Sequence, residues 1–277
     1  MAHFTDGWQT VEDGKIARNH YSQYALSEEG DELLQDFQIL PTEWDKKTKQ
    51  PARYDAFVLF ATKRDLKRLS RRKHWFTDGT FQCVPELFDQ MVTVHTNEYG
   101  VTMPAAYGLL TGKSEILYNA FFSAIKGKLP HTPAVEKITC DFELALVNAL
   151  DNVFEVQVKG CLFHYCQALL RWVRNKGYRA QYEEEGKFHK YVRRYMALPL
   201  LLLEDIPRAI DKLERRAPSS LDAFIAYWSE QWGVGSPCPP ERWCVHGETQ
   251  RTNNCVEGWH NRVSVFFFQL LLTSLHS

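Results

Sequence analysis

Residues 74–110 read HWFTDGTFQCVPELFDQMVTVHTNEYGVTMPAAYGLL, and this stretch decides the fold. HWFTDGT is a short apolar run that ends in an acid and a glycine. FDQMVTVHT at 88–96 and TMPAAYGLL at 102–110 are two further strand-like runs, with the polar HTNEYG as the turn between them. Three such segments in succession predict an antiparallel meander. Downstream, Ser114 precedes Ile116, Leu117, Ala120, Phe121 and Ala124 at helical spacing. KITC at 137–140 reads as a buried short strand, and FELALVNAL as a helix that turns Leu144, Val147 and Leu150 inward. VFEVQVKG is another strand. CLFHYCQALLRWVRNKG is another helix, closed by Gly177.

The order is therefore three strands, helix, strand, helix, strand, helix, which predicts an α/β protein with a mixed five-stranded sheet and flanking helices. Upstream, FVLFA at 57–61 reads as a short strand, and TKRDLKRLSRRK as a helix with Leu66 and Leu69 on one face. Residues 1–30 are polar without clear periodicity. The expected organisation is a partly ordered polar leader over 1–54 and a folded domain over 55–277. From about 180 to 248 the pattern changes. KFHKYVRRYMAL, LEDIPRAIDKLERR and LDAFIAYWSEQW are helical, and prolines at 199, 207, 218, 237, 239 and 240 keep the helices short. This region reads as a helical insertion.

Composition limits the function classes. The chain has 277 residues, 44% apolar and 24% charged, enough for a large core. Seven cysteines, an odd number without close extracellular spacing, favour a reducing compartment. The opening MAHFTDGWQTVEDG lacks a signal-peptide pattern, and the greasy runs MALPLLLLED and VSVFFFQLLLTSL are shorter than a membrane span. The protein is expected to be neither secreted nor membrane-bound. Lys plus Arg is 33 and Asp plus Glu is 34, so no global basic charge announces nucleic acid. The basic charge is local, in Lys63, Arg64, Lys67, Arg68, Arg71, Arg72 and Lys73. It reads either as a solvated helix face or as a phosphate-contacting edge beside the site.

Three acids carry the chemistry. Asp78 and Asp141 each end a strand-like run, where a carboxylate is held rigidly at a crevice. Asp78 can equally be a turn residue of Asp78-Gly79, and Asp141 can cap the following helix. Glu143 lies in the first turn of that helix, where it favours the helix N-terminus. Glu257 lies on a helix capped by Asn253 or Thr252. Val256, Trp259, Val263, Phe266 and Leu270 form its packing stripe, and Glu257, His260, Asn261 and Ser264 another face, which is otherwise an ordinary solvent face. Three carboxylates suffice for two divalent ions, and two such ions drive phosphodiester chemistry. Cys161 and His164 have the spacing of half a zinc site, but no compact second pair completes it. A buried helical Cys and His is the plainer reading.

HWFTDGTFQCVPELFDQMVTVH, MPAAYGLLTGKSEILYNAFF, ITCDFELALVNAL, GCLFHYCQALLRWV and TNNCVEGWHNRVS together resemble the catalytic domain of Mutator-like element (MULE) transposases, of the DDE superfamily. The resemblance covers roughly residues 55–270. It implies an RNase H-like fold with an all-helical insertion before the last catalytic helix. Asp78 and Asp141 match the family's two catalytic Asp residues, Glu257 its catalytic Glu, and Cys161 with His164 its Cys-x-x-His element. Implied with them are Mg²⁺ or Mn²⁺ as cofactor and DNA strand cleavage and transfer as activity. Asp78 is expected to contact both ions, Asp141 and Glu257 mainly one each. Glu143, Cys161, His164 and His260 are accessory candidates. Lys67, Arg68, Arg71, Arg72 and Lys73 are DNA-contact candidates. Transposon terminal inverted repeats are the implied DNA partner, and the nucleus the implied location. No cysteine precedes Cys83, so no zinc finger is expected upstream, and target recognition is expected from a homodimer or a separate DNA-binding partner. Two alternatives stay open: a catalytically silent, transposon-derived DNA-binding or regulatory protein, and another RNase H-like nuclease.

Overall fold

The computed structural model describes residues 33–44, 51–81, 84–85, 88–98, 100–253, 256, 258 and 260. Seven strands are described: β1 (Leu33–Trp44), β2 (Pro51–Thr62), β3 (His74–Thr80), β4 (Gln90–Glu98), β5 (Val101–Leu110), β6 (Lys137–Cys140) and β7 (Gln157–Gly160). They form one open sheet in the order β1-β2-β5-β4-β3-β6-β7. The fold is a mixed α/β arrangement, broadly RNase H-like, with flanking and inserted helices.

The five expected strands are β3 to β7, and they are contiguous in the sheet. The count of five is corrected to seven by a hairpin, β1 with β2, added antiparallel on the free side of β5. FVLFA lies in the second half of β2, where Phe57, Val58, Leu59 and Ala61 are buried, and β1 arises from the stretch read as polar leader. β1 is the edge strand, and its LLQDFQILPTEW has only a broken apolar pattern.

The meander pairs Asp78 with Thr93 across β3 and β4. β6 runs parallel to β3, with Phe76 opposite Thr139. Alternation then sorts the side chains. Trp75, Val92, Val94, Ile138 and Cys140 face one core, against α2 (Glu115–Lys128) and α3 (Leu144–Phe154). There Trp75 meets Phe154 edge-on at 5.0 Å. Phe57, Phe121 and Phe122 are at most 1% exposed, and each such burial stabilises by roughly 1.5–3 kcal/mol. Ser114 caps α2 by accepting the Leu117 N–H at 3.2 Å, as expected. Ile116 and Leu144, by contrast, are exposed.

The remaining helices are α1 (Lys63–Ser70), α4 (Leu162–Asn175), α5 (Arg179–Glu183), α6 (Lys187–Ala197), α7 (Ile206–Glu214), α8 (Asp222–Trp232) and α9 (Pro240–Trp243). Gly177 follows α4 at φ +81°, the left-handed conformation that suits glycine after a helix. Helices α5 to α9 fill the region read as an insertion. They share a second core with α4, in which Tyr165, Leu169 and Val173 meet Tyr195, Phe224, Trp228 and Trp243. Tyr165 is its polar pivot: its hydroxyl accepts from Trp228 Nε1 at 2.8 Å and donates to the Tyr195 carbonyl at 2.9 Å. Among the described residues, no helix is long and apolar enough to cross a membrane.

Candidate active site

The second face of the sheet carries the site. Asp78 and Asp141 both belong to it by alternation: Phe76 pairs with Thr139, and each acid lies two residues further on. Adjacent strands lie about 4.8 Å apart, so the two acids emerge side by side at the carboxyl ends of β3 and β6. Asp78 is 6% exposed. Burial, and then the nearby charges of Asp78 and Glu143, push the Asp141 carboxyl above its usual range. The Glu143 N–H, which donates to Asp141 Oδ1 at 3.2 Å, and the His164 charge act in the opposite direction. Asp141 thus shapes the turn into α3 without being its cap residue.

Glu143 is the N-cap residue of α3, one place before the first helical turn, and its side chain caps nothing. Its Oε1 accepts from the Tyr118 hydroxyl at 2.8 Å, and its Oε2 lies 3.4 Å from Lys113 Nζ. Gln90, 1% exposed, donates in turn to Tyr118 at 2.7 Å and to the Gly112 carbonyl at 2.7 Å. Lys113 also stands 4.0 Å above the exposed Phe81 ring, just beyond the end of β3.

Gly160 ends β7 where only a glycine fits. A Cβ there would lie 2.1 Å from the Phe142 ring. Phe142 follows Asp141 directly and meets Trp232 of α8 edge-on at 4.8 Å. The acid-bearing turn is therefore wedged between the sheet and the inserted helices.

Cys161 and His164 open α4. Cys161 is buried, and its Sγ accepts the Asn253 N–H at 3.1 Å, while the Leu162 N–H donates to the Arg251 carbonyl at 2.9 Å. This clip holds the segment that leads into helical residues Val256, Gly258 and His260. Burial opposes charge on His164, yet its hydrogen bond with Cys161 and the negative charges of Asp78 and Asp141 raise it to about 9. His164 is thus a basic side chain close enough to feel both acids.

His260 reaches the site from the other side. Its Nδ1 lies 3.4 Å from Asp78 Oδ2, and its Nε2 2.9 Å from Thr93 Oγ1. Asn253 does not cap that helix with its side chain. Its Nδ2 donates to the Thr77 carbonyl at 3.1 Å, and its backbone carbonyl accepts from Val256 at 2.8 Å. Glu257 lies outside the described residues.

The sequence reading missed Thr93, His95, Tyr118, Gln90, Lys113, Phe81 and Asn253 as neighbours of the acids. One signal was available: Thr93 and His95 are polar at period two inside the apolar run MVTVHT.

The basic run precedes β3 and lies at the other end of that strand. Lys73 precedes β3 at the end away from Asp78, five residue steps of about 3.3 Å each along the chain. Arg68 donates to the Pro104 carbonyl at 2.6 Å and pairs with Asp65 at 2.9 Å, Arg72 pairs with Glu98, and Lys73 with Glu136 at 2.7 Å. Lys67 and Arg71 are exposed on that distant edge.

Asp78 and Asp141 are hard oxygen donors of the type that holds Mg²⁺ or Mn²⁺. Among the described residues, no group of three or more His, Cys, Asp and Glu side chains is arranged to hold a metal ion, with or without Cys161 and His164. The two carboxylates at neighbouring strand ends are of the donor chemistry that such an ion takes.

A family model described as the MULE transposase domain matches residues 74–168. The match runs from β3 into α4, so it contains Asp78, Asp141, Cys161 and His164 and stops before the inserted helices. No curated protein matches the chain.

Proposed function

From the MULE transposase domain present over residues 74–168, we propose that this chain cuts and rejoins DNA strands by divalent-metal phosphodiester chemistry, with Asp78, Asp141 and Glu257 as its carboxylates. One observation carries this reading: two acids 63 positions apart stand at neighbouring strand ends on one face, with a helix bringing His260 against the first. Glu257 is assigned to the same site from the family resemblance, three positions before His260 in the sequence.

Asp78, Asp141 and Glu257 would hold Mg²⁺ or Mn²⁺, which when bound supplies an activated hydroxyl and charge neutralisation at the leaving oxygen. The chain's own residues do the rest. The strand ends fix the two Asp carboxylates in place. His164, close to both acids, would present a ring N–H to a non-bridging phosphate oxygen. Lys113 and Phe81, at the rim, suit one phosphate and one base of an incoming strand. Terminal inverted repeats are the proposed DNA target, with a second copy or another protein supplying sequence recognition.

The test is nicking of supercoiled plasmid in Mn²⁺, comparing wild type with Asp78→Ala, Asp141→Ala and Glu257→Ala. The expected result is nicking by wild type and loss in each variant. Residual nicking by the triple variant at the wild-type rate overturns the assignment. DNA binding without nicking by wild type points to the silent, DNA-binding alternative.

A further inference from the structure

Asp78 is the acid with the most elaborate support, and none of that support comes from its own strand. His260 Nδ1 lies 3.4 Å from its Oδ2, with the two side chains 7% and 8% exposed. His260 Nε2 lies 2.9 Å from Thr93 Oγ1, and Thr93 Oγ1 lies 2.9 Å from His95 Nε2. Thr93 and His95 are wholly buried. The two imidazoles stand nearly perpendicular, 79° apart, with centroids 6.3 Å from each other. A run of three hydrogen-bonding side chains therefore leads from the middle of the sheet to the carboxylate.

Thr93 has one proton to give. His260 Nε2 and His95 Nε2, both at 2.9 Å, and the Asp78 carbonyl at 3.5 Å are its possible acceptors. A carboxylate at Asp78 favours the arrangement in which His260 directs its Nδ1–H at Oδ2. Thr93 then links the Nε2 atoms of the two imidazoles.

The stiffness of the parts matters. Thr93 is β-branched, sits on a central strand and pairs directly with Asp78 in the register. His95 lies two residues along the same strand, next to the irregularity between Val94 and His95. His260 comes from the helix on the opposite wall. The relay thus ties that helix to the meander through side chains, at the height of the acid.

Building on the assignment of Asp78 as a metal ligand, we propose that His260, Thr93 and His95 are positioning residues that fix the Asp78 carboxylate in its metal-binding orientation. A buried carboxylate needs a fixed partner to hold one rotamer. Groups that orient a metal ligand from behind typically change metal affinity about 10–100-fold when removed.

Mn²⁺ binding to the full chain, followed by titration calorimetry, tests this. Asp78→Ala abolishes binding. His260→Ala weakens it at least about tenfold. His260→Asn, whose Nδ2 stands where the imidazole Nδ1 stood, recovers most of the loss. Thr93→Val weakens binding as His260→Ala does, Thr93→Ser leaves it unchanged, and the double variant His260→Ala with Thr93→Val is no weaker than His260→Ala alone. Wild-type affinity in His260→Ala, with binding still lost in Asp78→Ala, overturns the relay and leaves the metal site standing. Weak binding in His260→Ala that His260→Asn fails to recover also overturns it, since a merely structural histidine behaves that way. No Mn²⁺ binding by wild type overturns both the metal site and the relay.

Discussion

Gly160 and Phe142 are in such close contact that a methyl group on the first would overlap the ring of the second, at 2.1 Å. Phe142 cannot retreat freely, because Trp232 closes on its other side at 4.8 Å. Asp141 precedes Phe142 in the chain and shares its movement. Gly160→Ala is therefore expected to destabilise by about 1–3 kcal/mol, the usual range for overpacking, and to lower plasmid nicking beyond what reduced stability explains. Adding Phe142→Ala removes the clash, so the double variant should be less destabilised than the two single costs added together. Chemical denaturation of the four proteins measures this. Additive losses would mean that the ring moves aside at no cost.

The charge at Asp141 works against the fold. Burial and the neighbouring Asp78 and Glu143 charges raise its carboxyl in the folded chain. A raised acid binds its proton more tightly when folded, so its contribution favours the fold at low pH and turns unfavourable as pH rises past the unfolded value. At neutral pH, Asp141→Asn removes that repulsion, and its amide oxygen still accepts the Glu143 N–H. In a chelator, the variant should melt a few degrees higher than wild type, the shift that roughly 1 kcal/mol makes in a domain of this size. Adding Mg²⁺ should raise the wild-type melting temperature and leave the variant's unchanged. A lower melting point for the variant in chelator would contradict the repulsion argument.

Two histidines of the sheet set the acid limb of stability. Burial lowers His95 to about 3, assisted by the His260 charge, and lowers His74 to about 4, assisted by Lys137 and opposed by Glu248. Both are depressed bases. The unfolded chain takes up their protons below about 6.5 while the folded chain does not. Stability should therefore fall as pH drops from about 6.5, by a steeper slope than the carboxylates alone produce. His74→Gln can still bond Thr139, which His74 Nε2 meets at 2.7 Å, and should flatten the slope between pH 6 and 4. Denaturation midpoints across that range decide it, and an unchanged slope would remove His74 from the account.

How much of this was legible in the sequence depends on what each residue touches. Strands β3 to β7 show themselves through short apolar segments bounded by polar or turn residues, as in HWFTDGT and KITC. Gly177 closes its helix for a reason local to the chain, so it too is readable. β1 is not, because the edge strand LLQDFQILPTEW has a broken apolar pattern, whereas its partner β2 announces itself in FVLFA. Ile116 and Leu144 fit the helical period but fall on exposed sides, since periodicity gives spacing without saying where the neighbouring layer ends. At the site, Asp78 and Asp141 stand out as acids closing apolar runs. Thr93, His95 and Asn253 do not, because their role is fixed by partners far along the chain. The basic run shows a related limit: nearness in sequence to Asp78 is not nearness in space when a strand intervenes.

That separation yields a prediction about DNA. Lys67 and Arg71 are exposed at the end of the sheet away from the acids. Lys113, by contrast, follows β5 at the site's own end, 3.4 Å from Glu143 and over Phe81. If DNA enters at the carboxylates, its phosphates meet Lys113 before they meet the distant helix. Removing one cation from a phosphate lowers the slope of log affinity against log salt by about 0.9 in magnitude. Lys113→Ala should therefore weaken plasmid binding and shallow the slope by about that amount, while Lys113→Arg keeps both near wild type. Phe81→Ala should weaken single-stranded DNA binding by about 1–3 kcal/mol, the range for removing one stacking platform, with little change in slope. Lys67→Ala with Arg71→Ala should leave slope and affinity unchanged. Filter binding from low to moderate salt tests all four. A slope that falls for the Lys67 and Arg71 pair but not for Lys113 would move the DNA to the other end of the sheet, and with it the case for strand cleavage at Asp78 and Asp141.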